Sequence, residues 1–281
     1  LYDYMPNSAS WRKIVITNSF SPNVGAAAVD VDGDGRPELV CGEWGDRLFW
    51  VVAAPGREDF GSCHAVYKGL DDPHDVLAAN IDGDGADEVI VREKNGRLMY
   101  FRIPPDPAGP WHPVIIDSGL EGDGTAVACL SGRKGLDIVT NRGWYENVNG
   151  DGTRWKKHPL VPEHIDWHPE SRLVPADIDG DGKVEIVISE SEISNARLAV
   201  LKQQAPGSPW KEEILIEANE DFRALHSLQV VDLDNDGKPE IFAAEMENGK
   251  TDGVVKKPRW LCLSRSDGGE WERHVILDIN L

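Results

Sequence analysis

The sequence predicts an all-β fold, a β-propeller built from five four-stranded repeats. Three observations predict it. An acidic loop recurs, each copy leads into a Val/Ile-rich run of strand length, and a strand that begins with tryptophan closes most of the units. Helical 3.6-residue spacing of apolar positions is not evident anywhere along the chain. Four short strands every ~40–50 residues is the period of a propeller blade.

The repeats follow from the positions at which the acidic loops begin. Full copies begin at 30, 80, 177 and 232, and a degenerate copy at 129 fills the gap between the second and the third of these. We expect one domain over residues 1–281, with repeats at about 24–67, 74–116, 123–160, 171–216 and 226–277. Small residues such as Ala26, Ala27 and Ala28 precede the loops, as crowded inner strands require.

Closure of the propeller has two alternatives in the sequence. The strand at residues 11–16 and the strand that begins at Trp271 both suit the outermost position of the last repeat. The chain is therefore expected to form either five closed blades or part of a larger ring of six or seven blades.

Composition restricts the function. The formal net charge of −20 argues against non-specific nucleic-acid binding, which needs a basic surface. No apolar run approaches the ~20 residues that a membrane span requires, so we expect no membrane insertion. Four cysteines lie in apolar runs without C-x-x-C pairing, which favours buried free thiols over disulfides or zinc.

The acidic loops have the pattern D-x-D-x-D-G-x-x-E, which predicts calcium binding. Alternate carboxylates turn toward one point, the glycine permits a sharp turn, and the backbone carbonyl two residues after the third aspartate can complete an oxygen shell. No helix flanks a loop, which excludes an EF-hand. We expect up to four Ca²⁺ ions, of the ~10⁻⁴–10⁻³ M affinity typical of extracellular modules. The predicted ligand residues are Asp30, Asp32, Asp34, Arg36 and Glu38; Asn80, Asp82, Asp84, Ala86 and Glu88; Asp177, Asp179, Asp181, Lys183 and Glu185; and Asp232, Asp234, Asp236, Lys238 and Glu240.

Two of the repeats depart from the full ligand pattern. Asn80 keeps an oxygen but loses a charge, which should weaken the second site. In the third repeat Ser131 and Arg133 replace two carboxylates, and a guanidinium can supply the positive charge that the other loops take from a metal. No ion is expected there.

The loops and the strands after them, Glu-Leu-Val, Glu-Val-Ile, Glu-Ile-Val and Glu-Ile-Phe, resemble FG-GAP/VCBS-type propeller repeats. This resemblance covers roughly residues 11–277 and implies a secreted, periplasmic or cell-surface protein. The stretches at 73–76, 144–147 and 226–229 are similar to secreted members linked to carbohydrate degradation, including lyases and sugar dehydratases. Such members usually have seven blades, which departs from the five repeats of this chain.

The end of each repeat opposite the acidic loop is the predicted working face. Four glutamates and one arginine lie thirteen positions after the first residues of the five loops. Two histidines lie six positions before the first residues of the second and fifth loops. The glutamates are expected either to bind substrate or to pair with one another's backbone amides or with Arg92, Arg142 and Arg172. The histidines are expected either to transfer protons or to be hydrogen-bonded residues at strand starts. The predicted substrate-binding glutamates are Glu43, Glu93, Glu190 and Glu245.

This face suggests chemistry on carbohydrate, either β-elimination from a uronic-acid polysaccharide or binding alone. His74 and His226 are the candidate proton-transfer residues, and Arg142 and Arg172 the candidate binders of a sugar carboxylate. A pair of carboxylates could instead hydrolyse a glycoside. The alternative class is a non-catalytic propeller that binds a glycan or other extracellular proteins, or that is purely structural. The predicted aromatic and histidine contacts to sugar are Trp44, Trp144, Trp167 and His168.

Overall fold

The computed structural model describes residues 2–5, 8–13, 15–16, 20–52, 62–160, 167–205, 207–246, 257–266 and 268–278, and these ranges contain β-strands and no α-helix. The strands are β1 (Tyr2–Met5), β2 (Ser10–Lys13), β3 (Pro22–Val29), β4 (Glu38–Glu43), β5 (Arg47–Val51), β6 (Cys63–Lys68), β7 (Pro73–Ala79), β8 (Glu88–Glu93), β9 (Arg97–Phe101), β10 (Pro113–Ser118), β11 (Thr125–Ala128), β12 (Asp137–Thr140), β13 (Gly143–Asn147), β14 (Trp155–Pro159), β15 (Ser171–Ala176), β16 (Glu185–Glu190), β17 (Leu198–Gln203), β18 (Trp210–Ile216), β19 (Leu225–Val231), β20 (Glu240–Glu245), β21 (Arg259–Arg265) and β22 (Trp271–Asp278).

Five four-stranded antiparallel sheets are formed by consecutive strands: β3–β6, β7–β10, β11–β14, β15–β18 and β19–β22. Each acidic loop joins the first strand of its sheet to the second. The predicted fold class, all-β with five four-stranded propeller repeats, is confirmed.

The strand pairing also shows which of the two tryptophan-led strands is the outermost strand of the fifth sheet. Trp271 begins β22, which pairs with β21 and is the outermost strand of the fifth sheet. Trp11 lies in β2, which pairs instead with β1 in a separate two-stranded hairpin. The hairpin was missed because the strand at residues 2–5 has no counterpart in the repeats. Ile14, within the predicted strand 11–16, lies outside the described residues.

The chain forms two compact units. The first comprises residues 1–80 and 84–121, and the second comprises residues 81–83 and 122–281. In the first unit one core joins the two sheets and includes Val40, Trp50, Val89 and Trp111. The second unit has one core between its first two sheets and another between its last two.

Small residues on the innermost strands allow neighbouring sheets to approach closely. A Cβ atom added to Gly25 of β3 would lie 2.5 Å from the carbonyl oxygen of His74 and from the amide nitrogen of Val76, both on β7. A larger side chain at this position would therefore push the first two sheets apart. This close approach is made at Gly25, whereas of the alanines that were predicted to be crowded Ala26 and Ala28 are exposed and Ala27 is half-buried.

The cysteines differ from the prediction in their exposure. All four are free, but only Cys41 is buried, whereas Cys63 and Cys262 are half-buried and Cys129 is exposed. Burial raises the pKa of the Cys41 thiol to about 12. None of the described segments is a helix that is long and apolar enough to span a membrane.

Candidate metal loops and the opposite sheet ends

The acidic loops of the first, fourth and fifth repeats bring three carboxylates together. The groups are Asp30, Asp32 and Glu38; Asp177, Asp179 and Glu185; and Asp232, Asp234 and Glu240, each with one oxygen per residue within 4.8 Å of the others. The loop backbone holds them in the same way each time. The first aspartate accepts the amide of the loop glycine five residues on, at 2.9 Å in the first and fourth loops and 3.0 Å in the fifth.

The third aspartate of each loop has a different role from the first two. Its carboxylate accepts the backbone N–H of the residue two positions later, at 2.8–2.9 Å. Asp34 accepts from Arg36, Asp181 from Lys183 and Asp236 from Lys238. It therefore stabilises the turn at the residue whose carbonyl was predicted to bind metal. These aspartates lie outside the close groups of three.

The glutamate that begins the second strand of a sheet is buried among like charges. Glu185 is 3% exposed and accepts the amide of Ile178 at 2.8 Å. Burial, followed by the nearby charges of Asp179 and Asp181, raises the pKa of its carboxyl. Glu38 has the same arrangement, with Val31 as donor, and burial again raises its pKa. Converging oxygen donors with excess negative charge fit a hard divalent cation such as Ca²⁺.

The second loop is divided between the two units, so its complete ligand set, with Asn80, Asp82 and Glu88, stays a prediction. Within the first unit, Asp84 accepts the amide of Ala86 at 2.8 Å. This is the same turn that the third aspartates of the other loops make.

The third repeat satisfies its loop with groups of its own chain. Asp137, fully buried at the start of β12, accepts the amides of Leu130, Ser131 and Asn147 at 2.7–2.9 Å. The Arg133 guanidinium does not reach Asp137. It pairs instead with Glu146 of β13 at 2.8 Å, and together with His158 it holds the pKa of Glu146 below its usual range, against the effect of burial. The absence of an ion from this repeat stays a prediction.

At the opposite end of the sheets, each predicted face glutamate is paired with an arginine. Glu43 accepts Arg47 Nε and Nη2 at 2.7 and 2.8 Å. Glu190 accepts Arg197 at 3.1 and 2.7 Å, and Glu245 accepts Arg259 at 2.8 and 2.7 Å. Glu93 and Arg97 form the same two-pronged pair. Hydrogen bonds to these glutamates raise the pKa of Arg47, Arg97 and Arg259.

In three of these pairs, the glutamate is also hydrogen-bonded to the segment that precedes the first strand of its sheet. Glu93, Glu190 and Glu245 accept the backbone amides of Asp71, His168 and Arg223 at 2.8–2.9 Å. The guanidinium of Arg197 stacks on Trp167 and that of Arg259 on Phe222, with the guanidinium carbon 4.5 and 4.2 Å from the ring centroids. Through these hydrogen bonds the glutamate stabilises the end of its sheet.

The arginine partners were missed at the sequence level. Each begins or immediately precedes the third strand, but it follows its glutamate by 4, 4, 7 and 14 residues because the hairpins differ in length. The predicted partners Arg92, Arg142 and Arg172 are not the ones in these four pairs. A recurring Arg-Leu or Arg-Trp dipeptide at the start of the third strand is the signal that could have found them.

His74 lies in the first unit at the start of β7. It is 6% exposed, and its Nδ1 lies 2.9 Å from an oxygen of Asp75. A carboxylate at Nδ1 favours the tautomer that carries its proton there. The structure thus gives His74 an orienting partner.

In the second unit, Arg172 contacts both His226 and Asp123. The Arg172 guanidinium donates from Nη1 to Asp123 at 3.1 Å and from Nη2 to His226 Nε2 at 2.8 Å. Because arginine stays protonated, Nε2 of His226 must accept, so this imidazole is neutral. Its lone pair is occupied by Arg172, and His226 could abstract a proton through Nε2 only if Arg172 moved.

Two further predicted face residues of the second unit are Arg142 and His168. Arg142 is half-buried, and its carbonyl accepts the amide of Leu160 at 3.4 Å. His168 is half-buried, and its Nδ1 accepts the amide of Glu170 at 3.3 Å. His164, four residues before His168 in the sequence, lies outside the described residues.

The three predicted sugar-stacking tryptophans differ sharply in exposure. Trp44, at the end of the first sheet, is 65% exposed, whereas Trp144 is 2% and Trp167 0% exposed. Trp144 stacks on His158 with ring centroids 4.3 Å apart, and Trp167 donates from Nε1 to Glu212 at 2.7 Å. Both buried rings belong to the hydrophobic core between the first two sheets of the second unit. Of the three, Trp44 is the ring that presents a face to solvent.

Comparison with known proteins finds the repeat type. Residues 177–243, which contain the fourth and fifth acidic loops, match the FG-GAP-like repeat. The chain is 24% identical over 139 residues to the KICSTOR complex protein ITFG2 of Bos taurus, covering 45% of this chain and 26% of that protein. The chain thus spans about a quarter of the length of the curated relative that it matches.

A solved structure shows a similar fold at low sequence identity. A fungal alcohol oxidase of the AA5 family, in complex with copper, aligns with a TM-score of 0.55 and 11% identity over 98% of this chain and 58% of its own. The V. cholerae biofilm matrix protein Bap1 aligns with a TM-score of 0.44 and 19% identity, over 94% of this chain and 41% of its own.

Proposed function

We propose that this chain is a non-catalytic binding module of propeller type, stabilised by Ca²⁺, that recognises a polysaccharide or glycan outside the cell. The observation that carries the proposal is the pairing of the four face glutamates with arginines. A glutamate held by a two-pronged arginine and by backbone amides is poorly placed to act as an acid or base, because its oxygens are already occupied by hydrogen bonds. The same pairing removes the negative charge that would repel an anionic glycan.

The calcium part of the proposal rests on the three equivalent loops. Their carboxylates converge within 4.8 Å, and burial raises the pKa of Glu38 and Glu185. A bound Ca²⁺ would be held by the aspartates and the glutamate of each loop and would supply the positive charge that those loops need. Such sites of low affinity suit the calcium concentrations outside cells, which supports a secreted, periplasmic or cell-surface location.

The glycan part rests on Trp44. An exposed indole offers a flat apolar face with a polar edge, which suits stacking on a sugar ring at a wet surface. Trp44 directly follows Glu43, whose charge Arg47 balances. The ring is therefore presented beside a neutral ion pair.

A second candidate function is β-elimination from a uronic-acid polysaccharide, favoured by the contact between Arg172 and His226 at 2.8 Å. An arginine that binds the sugar carboxylate beside a histidine that accepts the α-proton is the arrangement this reaction needs. The need for Arg172 to move away from His226 first makes it the weaker candidate.

One experiment separates the two functions. The protein is incubated in calcium with a panel of neutral and acidic polysaccharides, and binding is measured together with the ultraviolet absorbance of unsaturated uronides. We expect binding without absorbance, and at least about tenfold weaker binding by Trp44→Ala. Trp260→Ala, which removes an indole that is 49% exposed on the fifth sheet, should bind normally. Growing absorbance that Arg172→Ala abolishes would favour the lyase, and no binding across the panel would contradict both.

A further inference from the structure

The position opposite the metal-loop glutamate on the third strand differs from repeat to repeat. Glu185 begins β16, and the register that pairs Ile186 with Leu201 places Lys202 opposite it. The same register step places Val52 opposite Glu38 and Ser264 opposite Glu240. The ligand patterns of these three loops are the same, with Arg36, Lys183 and Lys238 at the carbonyl position. This third-strand residue is therefore a clear chemical difference among the three sites.

In the fourth repeat this position places a positive charge on the predicted ligands. Lys202 Nζ lies 3.3 Å from an oxygen of Asp179 and 3.3 Å from an oxygen of Glu213 on β18. Asp179 belongs to the close group of three carboxylates, so the ammonium approaches the position where a cation would bind. Among the influences on the pKa of Glu185, Lys202 opposes the increase caused by burial and by Asp179.

Two other repeats support the importance of this position. In the second repeat it is Arg102, whose Nε lies 3.9 Å from Glu88. In the third repeat it is Glu146, which pairs with Arg133 of the loop, so that the loop provides the cation and the third strand the carboxylate. In both repeats, the residue at this position therefore has a charge opposite to that of the loop group that it faces.

We propose that the third-strand residue opposite the loop glutamate sets the calcium affinity of a repeat that binds the ion, and that Lys202 makes the fourth loop a weaker calcium site than the first and fifth. The inference rests on the calcium binding proposed above. Lys202 repels a divalent cation and at the same time partly replaces it. The fourth loop should therefore lose less stability than its equivalents when calcium is removed.

The test exchanges the residues of the fourth and fifth repeats. Lys202→Ser gives the fourth repeat the residue of the fifth, and Ser264→Lys does the reverse. Calcium-free protein is titrated with Ca²⁺ by calorimetry, and melting temperatures are measured with and without the ion. One unit charge a few ångströms from the cation at a partly exposed site predicts an affinity change of about five- to tenfold at one site.

The expected results have opposite signs. Lys202→Ser should tighten one site, lower the melting temperature of the calcium-free protein and increase the gain on adding calcium, whereas Ser264→Lys should weaken one site. Lys156→Ser, which removes an exposed lysine from β14, controls for net charge and should leave the affinities within about twofold, since exposed charges are largely screened.

The outcomes also separate this inference from the calcium proposal. If the wild-type chain binds calcium and neither exchange changes any affinity, the role of Lys202 is refuted while the calcium sites stand. If the wild-type chain shows no calcium binding, both are refuted.

Discussion

In the first, fourth and fifth sheets, both ends carry buried glutamates, but the surroundings of the glutamates differ between the two ends. In the fourth repeat, Glu190 at one end of β16 is paired with Arg197 at 2.7 Å. At the other end of the same strand, Glu185 lies in a group with Asp177 and Asp179. A buried carboxylate is costly unless it is paired. One end therefore has its counter-charge within the chain, whereas the acidic end, under the calcium binding proposed above, would take its counter-charge from a cation in the solvent.

Removal of calcium should have the largest effect, because it acts on several acidic loops at once. Each saturated site contributes about 2.7 kcal/mol when the free ion is a hundredfold above its dissociation constant. We expect chelation to lower the melting temperature by more than about 10 °C. Calorimetry with and without chelator measures this, and excess calcium should restore the original value.

A matched pair of variants locates the effect. Asp179→Asn should shrink the chelation shift, since Asp179 is one of the converging carboxylates. Asp151→Asn changes a similar Asp-Gly turn between β13 and β14, where Asp151 accepts the amide of Thr153, and should leave the shift unchanged. A melting temperature insensitive to chelation in all three proteins would refute calcium stabilisation.

The sequence was sufficient for the fold and for the acidic loops because both depend on local, repeated spacing. A D-x-D-x-D-G loop carries its ligands within nine residues, so their convergence does not depend on the rest of the chain. The arginine partners of Glu190 and Glu245 lie 7 and 14 residues away, across hairpins of unequal length. Only the strand register brings them together.

The tryptophans show the same limit. Trp144 and Trp167 were predicted to contact sugar because they flank the predicted face in sequence. Whether an indole points toward the core or toward solvent depends on strand register and on the packing of the next sheet. Trp44 lies outside the core because it follows the last residue of β4 and precedes Gly45.

Removing one partner of a glutamate–arginine pair should have the next largest effect on stability. Arg197→Ala leaves Glu190, 3% exposed, without its guanidinium, and removes the contact with Trp167. The free energy of unfolding in urea should fall by roughly 3–5 kcal/mol, as for other buried pairs from which one partner is removed. Restoring neutrality with Arg197→Ala/Glu190→Gln should recover part of the loss.

The equivalent change in the first repeat is the control. The side chain of Arg47 is 43% exposed and that of Glu43 12% exposed, so water can replace much of the interaction in Arg47→Ala. We expect a clearly smaller loss there, and neither variant should change the melting shift on chelation. Equal losses in both repeats would show that burial does not determine the value of these pairs.

The smallest effect tests the acidic end through pH. Glu185→Gln keeps an oxygen that can accept the amide of Ile178 but removes the charge. In calcium-free protein the pKa of Glu185 is raised above its ordinary value of 4.5, mainly by burial. A raised pKa in the folded state means that its favourable contribution is present below about pH 4.5 and is lost as pH rises through the folded pKa. Without calcium, wild type and Glu185→Gln should therefore be about equally stable at low pH, and the variant the more stable one at neutral pH.

Calcium should reverse that order. At neutral pH the ionised Glu185 is a predicted ligand, so its replacement by glutamine removes a charged oxygen from the site and makes the variant the less stable of the two. Urea unfolding at pH 4 and pH 7, with and without calcium, gives the four comparisons. The matching change at the other end, Glu190→Gln, should destabilise under every one of these conditions at which the carboxylate is ionised, because its partner is the fixed charge of Arg197. If the two variants respond to calcium alike, the two ends of the sheet do not differ in their source of positive charge. A reversal for Glu185 alone would locate the dependence on solvent cations at the acidic end of the strand.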